Sequence, residues 1–257
     1  MGHPIRLLSD SGQQPSTTIP ISDDDGAAHM CLDEALLEQA QVTTLRLYRW
    51  PTATLSLGYF QDHDAVTASL PAPMPVVRRI TGGGAIWHHH EITYALIGRL
   101  GQDGLPQHPR QLYPLLHGAI LKHLHVAGAH LTENPCQRGD HRFRTDPRCF
   151  ASPAPHDLIA PDQAKVLGSA ARTRHDRVLI HGSLKLASNP WDGPAVAGCG
   201  LAEAPAAQAL LNGLLAALNA TADVAPPEAQ ELAAAAALRQ ARYSNNAWIT
   251  RRHGPPA

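Results

Sequence analysis

Apolar residues recur at helical spacing in four parts of this chain. The segment Asp23–Gln41 opens with acidic residues and continues with apolar ones, which predicts a helix whose positive N-terminal end faces the acidic side chains. A second helix is predicted from about Arg110 to Val126 and is stopped by Gly128. Two alanine-rich helices, over residues 205–220 and 226–242, are expected to end the folded part.

Alternation of apolar and polar residues predicts the strands. It covers TLRLYRW and ATLSLGYF, which resemble a hairpin around Pro51 and Thr52, then VVRRI and AIWHHHEITYALI, and later HDLIA, KVLGSAA and RVLIHGSLKLA. The stretch Glu133–Arg148 is polar, has no period and is too long for a plain turn, and such loops tend to carry function. Because strands outnumber helices and hairpin turns are common, the predicted fold class is α+β, with a mixed β-sheet flanked by helices.

The ends of the chain differ from its middle in composition. Residues 1–22 are rich in Pro, Gly and Ser and are expected to form a flexible tail, as are residues 252–257. Residues 23–251 are then one folded domain, since 257 residues with 44% hydrophobic content can bury a substantial core.

Charge and cysteine usage exclude several classes of function. The net charge of -1 lacks the basic surplus expected of a protein that binds nucleic acid. No signal-peptide core and no run of eighteen apolar residues occurs, so no membrane partner is expected. The four cysteines form no C-x-x-C pair, which speaks against a structural zinc site and favours a reduced, cytoplasmic location.

The stretch RRITGGGAIWHHH, residues 78–90, concentrates the candidate chemistry. Gly82, Gly83 and Gly84 permit positive φ and close approach of the main chain to an anionic or carbonyl-bearing ligand, although a tight hairpin turn explains them equally well. The run is neither a Walker loop nor a dinucleotide fingerprint, because no G-K-[ST] follows and G-x-G-x-x-G is not met. Arg78 and Arg79 alternate along a strand, so one is expected to face the glycines and the other to be a surface charge.

The histidine run 88–90 raises the question of a metal. Strand alternation places His88 and His90 on one face, where an ion is imaginable. No third ligand at a suitable spacing is evident, so no metal site is predicted.

Two further motifs follow in order. Lys165 precedes Gly168-Ser169-Ala170, and His181-Gly182-Ser183 lies in the next predicted strand. With the stretch at 78–88 these residues resemble the lipoate-protein ligase and cysteine-type octanoyltransferase branch of the biotin/lipoate protein ligase superfamily, whose pattern is R-R-x-T/S-G-G-x-A-V-x-H-D, K-x-x-G-S-A-Q and L-Q-H-G-S. Segments 29–40 and 239–251 resemble the opening helix and the closing K-Y-x-x-x-x-W of that family, so the resemblance covers roughly residues 25–251.

The resemblance implies a tunnel for a medium-length acyl chain, with Lys165 close to the acyl carbonyl and Cys149 as the catalytic nucleophile whose thiolate Lys165 favours. If the acyl group is activated as an adenylate, Arg78 or Arg79 is expected to meet its phosphate. The substrate-binding residues implied are Arg78, Arg79, Gly82, Gly83, Gly84, Ala85, His88, Gly168, Ser169, Ala170, His181 and Gly182.

Two activities share such a fold. A cysteine-type octanoyltransferase takes an octanoyl group from acyl carrier protein onto the thiol and needs no cofactor, whereas a ligase uses ATP and Mg to activate free lipoate. Either one would deliver the acyl group to a lysine of a lipoyl carrier domain, in the E2 subunit of a 2-oxoacid dehydrogenase or in the glycine cleavage H protein. Cys149 and the segment HHHEITYAL favour the transferase, whereas Gly84 is more typical of the ligases.

Three positions depart from the family pattern. His89 replaces an aspartate, and Ala171 and Ile180 replace glutamines. These changes remove hydrogen-bonding groups, so a non-catalytic protein that binds acyl groups or a lipoyl domain stays open as a third alternative.

Overall fold

The structure is a computed structural model that describes residues 2–9, 19–135 and 146–251. The elements within these ranges, in chain order, are β1 (His3–Leu8), β2 (Ile21–Asp23), α1 (Gly26–Gln39), β3 (Thr44–Arg49), β4 (Thr54–Leu57), α2 (His63–Thr67), β5 (Val76–Arg78), β6 (Ile86–His88), β7 (Glu91–Arg99), α3 (Leu112–Val126), β8 (Thr132–Glu133), β9 (Leu158–Ile159), β10 (Lys165–Arg174), β11 (Arg177–Lys185), α4 (Glu203–Leu218), β12 (Ala220–Ala225), α5 (Ala229–Leu238) and α6 (Asn246–Arg251).

A large mixed sheet organises the molecule. Its strand order is β12-β1-β3-β7-β11-β10-β9-β8, with β2 paired to β3. The neighbours β3, β7, β11 and β10 are antiparallel, whereas β1 runs parallel to β3 and to β12. Helices α3 and α4 pack apolar side chains against one face of the sheet, and α1 and α5 pack against the other. The α+β fold class is confirmed.

The central strands β7 and β11 are buried on both faces. The sequence EITYALIG of β7 is buried along its whole length because helices cover the sheet on each side. Side chains that face α1 are therefore enclosed, and a pocket there is shielded from solvent.

A second sheet of three strands, in the order β5-β4-β6, carries the glycine run. The predicted hairpin of TLRLYRW and ATLSLGYF is wrong, because β3 joins the large sheet while β4 lies between β5 and β6. Leu55 and Leu57 of β4 pack in a separate cluster with Val66 and Ala85 rather than on the main core. The strand predicted over AIWHHHEITYALI is divided into β6 and β7, with His90 at a positive φ of 49° between them.

The N-terminal residues form part of the sheet. The expectation of a flexible tail over 1–22 is wrong for β1 and β2, because Ile5 and Leu7 are buried in the core. Arg6, also buried, donates two hydrogen bonds to the carboxylate of Glu231, which compensates the charge. Residues 10–18 and the predicted tail 252–257 lie outside the described residues, as do residues 136–145 of the long polar loop.

The predicted helices are present, with one difference at the C-terminus. Asp25 caps α1 by accepting from the N–H of Ala28 at 2.8 Å. The last helix, predicted over 226–242, ends at Leu238 and continues as a wider turn, because Arg242 and Tyr243 both bond to the buried carboxylate of Glu34 in α1. Within the described ranges, no helix combines the length and apolar character needed to span a bilayer.

Candidate active site

A row of directly opposed residues crosses four strands of the large sheet. Gly168 of β10 pairs with Ser183 of β11, Ser183 pairs with Thr93 of β7, and Thr93 pairs with Tyr48 of β3. All four line one pocket. Its other lining residues are Met30, Trp50, Ser56, Arg79, Gly83, Ile86, His88, Cys149, Ser169, Ala170, His181 and Gly182.

Cys149 and Lys165 meet at the β10 end of this row. The Nζ atom of Lys165 lies 3.7 Å from Sγ of Cys149 and 3.3 Å from its main-chain oxygen. Cys149 is half-buried, whereas Cys31 and Cys199 are buried in the core. The two residues predicted as catalytic are therefore in contact, and the thiol lines the pocket.

Asp157 is the third member of this group. Its carboxylate lies 2.7 Å from Nζ of Lys165, and both side chains are at most 4% exposed. Burial alone would lower the pKa of Lys165, but the charges of Asp157 and then Cys149 outweigh it, so that the pKa lies above its usual value. The lysine is a charged ammonium at neutral pH, and it lies beside the only half-buried thiol among the described residues.

Two lysines flank the ring that follows Cys149. Nζ of Lys165 lies 4.9 Å from the centre of the Phe150 ring, and Nζ of Lys185 lies 4.8 Å from it. Lys185 is itself paired with the buried carboxylate of Glu91. Cation–π attraction to both ammonium groups fixes Phe150, and with it the main chain of Cys149. Two of the three lysines in this chain thus act at one place.

Glycine is required at two positions beside Lys165. A Cβ on Gly168 would lie 2.3 Å from Cε of Lys165, and a Cβ on Gly182 would lie 2.2 Å from Oγ of Ser169. These glycines leave room for the lysine on one face of the sheet and for the Ser169 hydroxyl on the other, where it bonds to His117 and Tyr94.

The glycine loop, residues 81–85, forms the wall of the pocket opposite the large sheet. Gly83 has a positive φ of 90°, which glycine adopts without strain. A Cβ on Gly84 would lie 2.7 Å from the main-chain N of Cys149, and a Cβ on Gly58 would lie 2.0 Å from the carbonyl oxygen of Gly83. The close main-chain approach seen here is to neighbouring segments of the protein, and the hairpin explanation is wrong, because β4 lies between β5 and β6.

Arg79 holds the glycine loop in place. It is 2% exposed, and its five N–H groups bond to the oxygens of Gly82 and Gly84, to both oxygens of Ser56 and to the hydroxyl of Thr81. Burial lowers the pKa of Arg79 to about 10. The expected contact with a phosphate is not what this geometry provides, because every donor of the guanidinium already bonds to the glycine loop or to Ser56 of β4.

Arg78 is also fully buried, so the expectation that one of the two arginines is a surface charge is wrong. Its guanidinium donates to main-chain oxygens of the 58–61 turn and, through Nε at 2.8 Å, to that of Ile249 in α6. Trp248 donates in return to the main-chain oxygen of Arg78 at 3.1 Å. Arg78 joins the C-terminal helix to the strand before the glycine loop and does not line the pocket.

His88 is a neutral member of a buried hydrogen-bonded chain. Burial lowers its pKa to about 4, so Nδ1 donates to Glu91 at 2.7 Å and Nε2 accepts from Ser56 at 2.7 Å. Ser56 in turn accepts from Arg79. Among the described residues no group of three potential metal ligands is close enough to hold an ion.

His181 lines the pocket with both ring nitrogens occupied. Nδ1 donates to Asp33 at 3.2 Å and Nε2 lies 2.7 Å from Oγ1 of Thr81. Burial opposes the charge of Asp33, yet Arg46 and His181 hold the pKa of this carboxyl below its usual value. The histidine ties the glycine loop to β11.

Most of the residues predicted from the sequence converge on this pocket, but not all line it. The predicted residues that do not line it are Arg78, Gly82, Gly84, Ala85 and Lys165. The sequence motifs did not include Asp157 or five of the pocket-lining residues, namely Met30 of α1, Trp50, and Tyr48, Ser56 and Thr93 of three strands. Ile86 and Ser183 stand within the motifs but were not among the implied binding residues.

Residues 25–196 match the family model of the lipoyl protein ligase A/B catalytic domain. The chain belongs to this family. Among curated proteins, it is 33% identical to the octanoyltransferase LipM of Oceanobacillus iheyensis over 174 residues, or 64% of this chain and 62% of the relative. It is 34% identical to the octanoyltransferase LipM of Clostridioides difficile over 63% of this chain and 62% of that protein. The match thus spans less than two thirds of these relatives.

Solved structures confirm the fold over nearly the whole chain. A lipoate-protein ligase A bound with ATP superposes with a TM-score of 0.73 at 18% identity, covering 97% of this chain and 99% of the other. A bi-partite lipoate protein ligase from Thermoplasma acidophilum superposes with a TM-score of 0.72 at 17% identity, covering 99% of each chain.

Proposed function

We propose that this protein is an octanoyltransferase that moves an octanoyl group through a thioester on Cys149 to a lysine of a lipoyl carrier domain. The observation that carries the proposal is the thiol of Cys149 lying 3.7 Å from the buried ammonium of Lys165 at one end of the pocket. The octanoyltransferase relatives, at 33% and 34% identity, support the same reaction.

In the first step the Cys149 thiolate attacks the carbonyl carbon of an octanoyl thioester, supplied by acyl carrier protein. The new carbon–sulfur bond forms, the carbonyl electron pair moves to oxygen and returns, and the bond to the carrier sulfur breaks. The carrier leaves as a thiolate that takes up a proton. Lys165, kept charged by Asp157, stabilises the Cys149 thiolate before the attack.

In the second step the neutral amine of the acceptor lysine attacks the Cys149 thioester. An amide bond forms, the carbon–sulfur bond breaks, and the amine gives up one proton while Cys149 returns as the thiolate. The ammonium of Lys165 again lies beside the sulfur that receives the electron pair. The acceptor is a lipoyl domain of a 2-oxoacid dehydrogenase E2 subunit or of the glycine cleavage H protein.

Intact mass spectrometry after incubation with octanoyl-acyl carrier protein tests the proposal. The wild type is expected to gain one octanoyl group on Cys149, and adding a lipoyl domain should move the group to the domain. Cys149→Ser is expected to lose the adduct, because a serine hydroxyl stays protonated at neutral pH. A wild type that forms no adduct, or a Cys149→Ala variant that transfers at the full rate without ATP, would refute it.

The same variants separate the transferase from the two alternatives. An ATP-dependent ligase would stay active in Cys149→Ala with ATP, Mg and lipoate, and would lose activity in Lys165→Ala. A non-catalytic protein would bind octanoate or a lipoyl domain without turnover under either condition. Assaying both variants with and without ATP therefore identifies the activity.

A further inference from the structure

His117 is a buried histidine that the proposed mechanism does not use. It lies in α3, and none of its surface is exposed to solvent. Its Nδ1 atom lies 2.7 Å from the main-chain oxygen of His156, and its Nε2 atom lies 2.7 Å from Oγ of Ser169. The ring therefore joins α3 both to β10, the strand of Lys165, and to the residue directly before Asp157.

The direction of each hydrogen bond follows from the chemistry of the partners. A carbonyl oxygen only accepts, so Nδ1 carries a proton and donates to His156. Burial lowers the pKa of His117 and outweighs the opposing charge of Asp157, so the ring is neutral at pH 7. Nε2 then accepts from the hydroxyl of Ser169, which in turn accepts from the hydroxyl of Tyr94 at 2.8 Å. This chain fixes the tautomer of the ring and aims its N–H at His156.

His156 has a backbone conformation that depends on its surroundings. Its φ of 69° lies in the left-handed region, which is unfavourable for a residue with a Cβ and persists where neighbouring contacts hold it. The peptide group between His156 and Asp157 is held at both ends. Its oxygen accepts from His117, and its N–H donates to the oxygen of Ala154 at 3.1 Å. The N–H of Asn134 bonds to the next oxygen, that of Asp157, so His117 is the contact from α3 that orients this peptide group.

The position of Asp157 decides whether Lys165 keeps a partner for its charge. The carboxylate lies 2.7 Å from Nζ of Lys165, and both side chains are almost fully buried. The ammonium also faces the thiol of Cys149 and, across the ring of Phe150, the like charge of Lys185. Neither of these groups can replace the carboxylate. A rotation of the peptide group before Asp157 would therefore leave a buried ammonium without its partner.

We propose that His117 is a positioning residue of the acyl-transfer site, because its Nδ1–H bond to the oxygen of His156 holds Asp157 against Lys165. The inference rests on the proposed acyl transfer and adds to it a residue that acts only through others. His117 is not among the residues that line the pocket. Its loss should therefore change the titration of Lys165 rather than the binding of the acyl group.

Two amide variants separate the two bonds of the ring. Asparagine carries its amide nitrogen at the place of Nδ1, and glutamine carries it at the place of Nε2. His117→Asn can therefore still donate to His156, whereas His117→Gln can reach only Ser169. The alkaline limit of the octanoyl-adduct rate is expected to fall by about one pH unit or more in His117→Gln and to stay close to the wild-type value in His117→Asn.

A purely structural role of His117 predicts the opposite order. Asparagine is smaller and leaves the larger cavity, so a loss of packing alone would affect His117→Asn at least as much as His117→Gln. His125→Gln is the matched control, because His125 also bonds from α3 to a main-chain oxygen, that of Leu131. An equal shift in the two His117 variants, a larger one in His117→Asn, or the same shift in the control overturns the inference.

A direct titration of Lys165 keeps the test separate from the proposed transfer. The chain has three lysines, Lys122, Lys165 and Lys185, so carbon-13 labelling of the lysine ε-carbon gives three signals, which Lys122→Arg and Lys165→Arg assign. The Lys165 signal should titrate about one pH unit or more lower in His117→Gln than in His117→Asn. If the wild type forms no octanoyl adduct, the proposed transfer fails, and this titration still tests the role of His117.

Each remaining result of the titration also decides the question. Equal titration of Lys165 in the two variants overturns the inference, whether or not acyl transfer occurs. If His117→Gln does not fold, His117→Leu, which has no donor, takes its place and is expected to show the same shift. A failure of both variants to fold assigns His117 to stability alone and overturns the inference.

Discussion

Asp157→Asn offers a direct test of how the lysine beside the thiol is kept charged. Asp157 lies 2.7 Å from Nζ of Lys165, and both groups are nearly inaccessible to solvent. Asparagine keeps the shape and one acceptor oxygen, so the substitution removes chiefly the charge. Without the charge of Asp157, burial has the largest effect on Lys165 and lowers its pKa.

The expected size of the pKa change follows from the short distance between Asp157 and Lys165. An opposite charge at this distance shifts a pKa by about one to three units, so the pKa of Lys165 is expected to fall by that amount in the variant. Leaving a buried ammonium without its partner is also expected to cost about 3 kcal/mol of unfolding free energy at pH 7. Because folding raises the pKa of Lys165, the lysine stabilises the folded state at pH values below the usual lysine pKa, and this stabilisation is lost at higher pH.

The assay is the initial rate of octanoyl-adduct formation between pH 6 and pH 10, with urea unfolding measured in parallel. The alkaline limit of the rate should move down by about one to three pH units in Asp157→Asn. Asp162→Asn is the matched control, because Asp162 lies in the preceding loop and caps the N–H of Ala164 without contacting Lys165. An Asp157→Asn variant with the wild-type pH profile and full rate would refute the reasoning.

Three further substitutions test other parts of the site. Gly168→Ala is expected to slow transfer at least about tenfold in a folded protein, because the new Cβ would lie 2.3 Å from Cε of Lys165; an unaltered rate contradicts this. The pKa of His88, about 4, lies below that of a histidine in the unfolded chain. Lowering the pH from 7 to 5 should therefore reduce the free energy of unfolding by about 2 kcal/mol through this residue. Urea unfolding of His88→Gln should show that much less pH dependence. Arg78→Lys should lower the unfolding free energy by about 2 kcal/mol or more, because a lysine ammonium cannot replace the hydrogen bonds that the planar guanidinium donates to several main-chain oxygens.

The sequence predicted the parts of the site that are built from local motifs. The glycine run, the G-S-A segment after Lys165 and the position of Cys149 are each written in a few adjacent residues, and the structure brings them to one place. Asp157 carries no such signal. It is a single carboxylate eight residues before Lys165, and it meets the lysine only because β9 pairs antiparallel with β10.

The sequence also did not predict contacts between residues that are far apart along the chain. Trp50 and Thr93 are 43 residues apart and meet through the pairing of β3 with β7. The alternation rule also failed for Arg78, because it assumes that one face of β5 is open to solvent. That face is covered by α6, whose carbonyl groups accept the guanidinium hydrogens. A periodicity describes one strand, and it does not reveal which later element packs on it.

Gly84 is explained by the packing of this protein rather than by the activity with which a glycine at this position is usually associated. In the family pattern a glycine there is more typical of ligases, but in this structure the reason is local packing. A Cβ would lie 2.7 Å from the main-chain N of Cys149 and 2.8 Å from the oxygen of Pro147. The N–H of Ala85 donates to Pro147, and the N–H of Cys149 donates back to Ala85. Glycine at this position therefore lets the Cys149 segment pair with the loop and holds the thiol within reach of Lys165, so Gly84 is no argument against a cysteine mechanism.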